Sequence, residues 1–259
     1  MITCPVCKAE NSHLAVTCKQ CGSFVQSKVD TLDLFATIWL LMESPRKAFR
    51  RISLARHKNY IIFLSFIVGI ALSFFIMWVL SIGDLDVSLP QLLATGFVVG
   101  PLVGFVTLLL LAVIQKLVAK TFRLDTRIMN AAAVIAYALV PVALSVIFIL
   151  PIEILTFGKL FFSTNPSPYL LKPTSYIVLL ALDGLTLFWS SFLYVLGIRA
   201  LYDLGIRKAL IVSGLTIAVY CVVMFSGISA VLTKMSRVPR DEKARLTVEV
   251  GSFDERTRG

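Results

Sequence analysis

The stretch YIIFLSFIVGIALSFFIMWVL, residues 60–80, decides the fold. It is a run of 21 uncharged, almost wholly apolar residues. Coiled as an α-helix it is roughly 30 Å long, the thickness of the hydrocarbon core of a bilayer. Tyr60 at its start and Trp78 near its end are aromatics that suit the lipid–water interface. Arg46, Lys47, Arg50, Arg51, Arg56 and Lys58 precede it, and Asp84 and Asp86 follow. That step in charge sets a direction of insertion, because short segments rich in Lys and Arg stay on the side of synthesis.

The rest of the chain has the same character. Of its 259 residues 58% are hydrophobic and 15% charged, whereas soluble domains run near 45–50% and about 25%. Mean hydropathy is +0.86. These values describe an integral membrane protein. The net charge of +10 is no nucleic-acid signature, since the bases flank apolar segments and act as topology signals and counter-charge to anionic lipid headgroups. No nucleic-acid partner is expected, and the lipid bilayer is. No secretory signal peptide opens the chain, so the N-terminus is expected on the side of synthesis.

Read in order, the sequence predicts an all-α polytopic membrane helical bundle with five transmembrane helices, preceded by a small zinc ribbon. The ribbon occupies 1–22, a linker 23–32, interfacial amphipathic helices 33–58, the membrane domain 59–232 and a polar tail 233–259. The spans fall at about 60–80, 92–114, 131–150, 175–196 and 209–232, each near the length a bilayer needs. Lys plus Arg number six in 46–58, none in 81–91, four in 115–130, two in 151–173 and three in 197–208. This alternation places the ribbon in the cytoplasm. Five spans put the tail outside, against the five basic residues of 233–245. The proline-punctuated segment 151–173 is expected as an interfacial helix over Ile152–Phe162 followed by a loop, with a re-entrant segment as the alternative.

The recognisable chemistry lies at the N-terminus. Cys4 and Cys7 form one CxxC pair, and Cys18 and Cys21 a second, followed by Gly22. Two such pairs can close a tetrahedral four-thiolate site around structural Zn2+. A disulfide pair or free thiols is the alternative. Four Cys ligands leave no open coordination position, so the metal would be structural. His13, between the pairs, reads as a surface residue, and Cys221 as a small core residue.

Other positions read more modestly. Leu34, Ile38 and Leu41 share a face of a first short helix, widened by Phe35, Trp39 and Leu40, which suits a helix lying at the interface. Ser44-Pro45 reads as the start of the next, with Ser as N-cap and Pro at the first helical position. Its Arg46, Lys47, Arg50 and Arg51, with Arg56 and Lys58 beyond, form a lipid-headgroup or partner surface, with Phe49 sitting deeper in the interface. Gly96, Gly100 and Gly104 recur every four residues and permit close helix packing. Pro101 and Pro141 are expected kinks, with a gating hinge as the alternative at Pro101. Asp183 lies mid-span, an expensive place for an acid, and with Tyr137 is the intramembrane polar candidate. It reads either as a proton- or cation-coupling residue or as a carboxyl satisfied by a neighbouring Ser or Tyr.

Several motifs resemble the Yip1 domain family of multispanning membrane proteins. They are Asp33-Leu34-Phe35; Glu43-Ser44-Pro45-Arg46-Lys47-Ala48-Phe49-Arg50-Arg51-Ile52; Tyr137-Ala138-Leu139-Val140-Pro141; and Gly197-Ile198 through Gly205-Ile206-Arg207-Lys208-Ala209. Ala136 stands where the family's pattern has Gly before the tyrosine. The resemblance covers about 33–232 and implies five spans and a cytosolic N-terminus. The cysteine module looks like the zinc ribbons of prokaryotic members, which implies a prokaryotic plasma membrane. Eukaryotic relatives are associated with vesicle trafficking and prenylated small GTPases, but the resemblance transfers no mechanism. The function expected is therefore a non-enzymatic scaffold or adaptor with a cytosolic protein partner, homo-oligomerisation being open. The alternative is a small-molecule, ion or lipid transporter or scramblase using Asp183. No HExxH, paired-acid cluster or nucleophile–base pair favours an enzyme.

Overall fold

The computed structural model describes residues 2–12, 15–25 and 31–236. The readings of His13, of linker residues 26–30 and of the tail from 237 onward fall outside them. The chain divides into two compact units, Met1–Thr216 and Ile217–Gly259. Five helical segments are long and apolar enough to cross a membrane: Ile61–Val79, Leu89–Thr121, Ile128–Phe162, Pro173–Tyr202 and Ile206–Gly227. The protein is thus a polytopic membrane helical bundle.

The N-terminal module is a hairpin of two short antiparallel strands, β1 (Ile2–Thr3) and β2 (Glu10–Asn11), with Ile2 opposite Asn11. Helix α1 (Leu34–Glu43) is capped by Asp33, whose carboxylate accepts from the Ala36 N–H at 2.9 Å. Helix α2 (Pro45–Leu54) follows at once. Ser44 separates the two, but its hydroxyl makes no cap. The residue serves both helices through its backbone: its N–H closes α1 on Leu40 O, and its carbonyl accepts from Ala48.

Helix α3 (Ile61–Val79) starts from Tyr60, whose left-handed backbone turns the chain into the first span. A 3-10 turn (Ile82–Asp84) leads to α4 (Leu89–Thr121). Here the Ser88 N–H donates to Gln91 Oε1 at 3.0 Å and holds the first turn. Helix α4 runs unbroken through Pro101.

The third membrane segment is built from α5 (Ile128–Ala138), α6 (Val140–Phe148), α7 (Leu150–Phe157) and a 3-10 turn (Gly158–Phe162). It differs from the expected span at 131–150 with a separate interfacial helix, because one apolar path continues to Phe162. Pro141 and Pro151 explain the difference. Each stands in the first turn of α6 or α7, where a missing N–H costs nothing. A proline therefore restarts the helix instead of ending it. The short α8 (Pro168–Leu171), then α9 (Pro173–Tyr202) and α10 (Ile206–Ser236) complete the order.

Two contacts organise the packing around α3 and α4 inside Met1–Thr216. The first joins α3 and α4. A Cβ on Gly69 would lie 2.0 Å from Gly100 O, and one on Gly104 only 1.9 Å from Ser65 O. Gly96 lies under the Phe74 ring, and its carbonyl accepts from the Ser73 hydroxyl at 3.1 Å. The glycine stripe thus faces α3, and Gly69 and Ser65 answer it. The second contact is a cluster at the 3-10-turn end of the bundle, made by Phe74, Leu92, Leu150, Phe157, Phe161, Phe162 and Leu179.

Gly104→Ala tests the first contact. Overpacking a core costs about 1–3 kcal/mol, and here two backbones must part, so the detergent-solubilised protein should melt markedly lower. Gly184→Ala is the control: its Cβ position has nothing within 4 Å, so the melting temperature should hold.

Candidate functional site

The four cysteines of the N-terminal module converge. Their sulfurs all lie within 4.8 Å of one another, with Cys4 and Cys21 3.6 Å apart and Cys7 and Cys18 3.5 Å apart. Two similar turns bring them together. Lys8 N–H donates to Cys4 O and Gly22 N–H to Cys18 O, both at 3.0 Å. Lys8 and Gly22, each directly after the second cysteine of its pair, take left-handed backbones. Asn11 Nδ2 and the Gln20 N–H point at Cys18 Sγ, as donors do at a thiolate.

The thiols are driven apart in charge. The Ser23 hydroxyl, then the Cys7 and Val6 backbone, draw Cys4 down to about 6. The Ala9 backbone pulls Cys7 down too, but the Cys21 thiol, burial and the Cys18 and Cys4 thiols outweigh it and push Cys7 up to about 12. Four sulfurs this close cannot all ionise alone, and a thiophilic cation removes the conflict. The donor set can hold a metal ion.

The basic helix is used differently from the sequence expectation. Phe49 does not enter lipid. Phe49, Ala48 and Ile52 are each 0% exposed, packed against α9 and α5. Gly197 makes room, since a Cβ there would sit 3.1 Å from the Phe49 ring and 2.5 Å from Val134 Cγ1. With its apolar face spent on the protein, α2 turns Arg46, Lys47, Arg50 and Arg51 outward, and Arg56 beside it is exposed as well. Lys58 does not belong to that surface. Its ammonium donates to Ile52 O at 2.7 Å, Ala55 O at 3.1 Å and Ser53 O at 3.3 Å, closing the C-terminus of α2. Burial draws it down to about 8.

Tyr137 belongs to the same junction. It is fully buried, and its hydroxyl donates to Asn59 O at 3.2 Å, just before the Tyr60 turn. Pro141 explains the break after it: α5 ends at Ala138 and α6 begins at Val140.

Asp183 is partly buried on α9, and its carboxyl interacts with that of Glu153 on α7. Glu153 is 4% exposed, although the sequence places it near an interface. Its role was illegible because the prolines hid the helix that carries it inward. Gln115 was also missed. Fully buried in α4, its Oε1 accepts from the Tyr194 hydroxyl and, at 2.9 Å, from Thr216 Oγ1. The signal was present as an amide inside an apolar run.

At the opposite end Asp84 does more than mark a charge step. Its carboxylate accepts from the Ser163 and Thr164 hydroxyls and from the Thr164 and Asn165 N–H groups at 2.9 and 3.1 Å. Lys159 Nζ donates to Leu85 O at 3.0 Å across the same seam.

A family-model comparison matches the Yip1 domain over residues 39–228. The chain belongs to the Yip1 domain family. Comparison with curated proteins and with solved structures finds no match. The resembling motifs prove to be spatial neighbours in part: Phe49 and Gly197 touch, and Tyr137 ties down the turn that follows α2.

Removing the Tyr137 hydroxyl should cost about 1 kcal/mol, read as a lower melting temperature of Tyr137→Phe. Asp84 gives a pH signature. The Ser163 hydroxyl, then that of Thr164, hold its carboxyl well below the usual carboxylate range. Its contribution is present above the unfolded value of ~4 and is lost as pH falls through the depressed folded value. The melting difference between wild type and Asp84→Asn should therefore stay flat from alkaline to mildly acid buffer and shrink only in stronger acid.

Proposed function

We propose that this Yip1-family protein is a non-enzymatic membrane adaptor. The observation that carries the reading is α2, whose apolar side is buried against α1, α5 and α9. Its arginines and lysine are thus fixed on a rigid protein surface and are not floating in lipid. Such a surface suits an acidic protein partner, with anionic headgroups as the competing ligand. The cysteine module, holding structural Zn2+, supplies a second recognition element on the same side. The charge alternation supports a cytoplasmic placement for both, in a prokaryotic plasma membrane. Association with further copies is compatible with the reading and not required by it.

Co-purification from gently solubilised membranes tests it. A cytosolic protein should be retained by wild type and lost from Cys4→Ser/Cys18→Ser and from Arg46→Glu/Lys47→Glu, while metal analysis finds one zinc per wild-type chain. If retained proteins are the same in all three, the adaptor reading fails. A transport reading has its own observation in the Glu153–Asp183 contact, and flux in reconstituted vesicles that Asp183→Asn abolishes would favour it.

A further inference from the structure

The membrane segments carry their basic residues near their ends, at Lys116, Lys120, Lys159, Arg199, Arg207 and Lys208, while two acids lie deeper. No Lys, Arg or His occurs in 61–79, 89–115, 128–158 or 173–198, yet Glu153 and Asp183 do. Glu153 is 4% exposed and its Oε1 has no hydrogen-bond partner. The neighbouring acid, Asp183, comes from another helix. Two carboxylates side by side in a low-dielectric interior repel, and each is costly to desolvate. Neutralising them takes a positive charge that these stretches do not contain.

A second observation points the same way. Ser190 lies two helical turns from Asp183 on the same face of α9. It is 2% exposed, and its Oγ is unpartnered. Further along, at the Tyr194–Gln115 contact, Gln115 Nε2 and the Tyr202 hydroxyl face each other without a well-formed hydrogen bond. Five buried side-chain atoms lack partners among the described residues, and only that of Ser53 lies away from this line. Buried polar groups of this kind are normally satisfied by ordered water. The line leads from mid-membrane toward the end of the domain where α2 packs.

We propose that Glu153 and Asp183 together bind one exchangeable monovalent cation, a proton or Na+, reached by a hydrated polar route along α9. With a proton, one carboxyl donates to the other. With Na+, both carboxylates ligate the ion. In either case a single negative charge remains, spread over the pair. The site does not rest on the adaptor reading, and a site that binds without flux would remove only the transport reading.

The test uses the full-length protein in liposomes and dicyclohexylcarbodiimide, which crosses into lipid and reacts with protonated carboxyls. Peptide mass spectrometry should find the adduct on Glu153 or Asp183, rising as the buffer is made acid. Suppression by NaCl relative to choline chloride identifies Na+ as the ion, and insensitivity to NaCl identifies the proton. Asp183→Asn should reduce Glu153 labelling several-fold, and Asp183→Glu should restore it, which separates loss of the site from loss of the fold. Ser190→Val should slow the labelling response to a pH jump several-fold. Absent labelling, or labelling indifferent to both pH and NaCl, overturns the site. An unchanged rate in Ser190→Val overturns the route.

Discussion

The seating of Phe49 against Gly197 is the contact on which the rest of the structure turns. A side chain at position 197 would crowd the Phe49 ring and press harder on Val134, and the seating fixes α2 across α9 and α5. Once that face is buried, the helix's charges have one direction left. Lys58 then closes the C-terminus of α2, and the Tyr137 hydroxyl holds the backbone just beyond it. The left-handed Tyr60 follows and aims the first span. A soluble-looking basic helix and a transmembrane helix are thereby made parts of one rigid junction.

The two ends of Met1–Thr216 are finished differently. At the α2 end, backbone carbonyls and aromatic packing fix a positively charged surface. At the other end, Asp84 gathers hydroxyls and amides of Ser163, Thr164 and Asn165, while phenylalanines fill the space beneath. Between them, glycines let α3 and α4 touch backbone to backbone, and a polar line follows α9. Rigid ends and a polar interior are compatible with either recruitment or cation binding, and they rely on separate residues.

Much of this was legible in the sequence. Length and hydropathy mark the spans, because a bilayer imposes both. The cysteine spacing marks the four-sulfur cluster, because a tight turn brings the two members of each CxxC pair together. The glycine repeat marks a helix contact, but its partner Gly69 is a lone glycine in an apolar run and carries no pattern. Glu153 was placed outside the third span because Pro151 read as its end, while in space that proline begins a new helix. Phe49 was misplaced for a subtler reason. An aromatic among arginines satisfies a lipid interface and a protein groove equally well. The groove that decides between them is completed by Gly197 and Val134, both distant in sequence.

Spin-label accessibility at α2 tests this account most directly. With Cys221→Ser removing the cysteine outside the N-terminal four-cysteine cluster, nitroxides at Phe49→Cys and Arg51→Cys can be compared in liposomes. The packed junction predicts that the label at 49 is immobile and shielded from both oxygen and a water-soluble nickel reagent. The label at 51 should collide freely with nickel. A label at 49 that is mobile and open to oxygen would place that face in lipid and contradict the account.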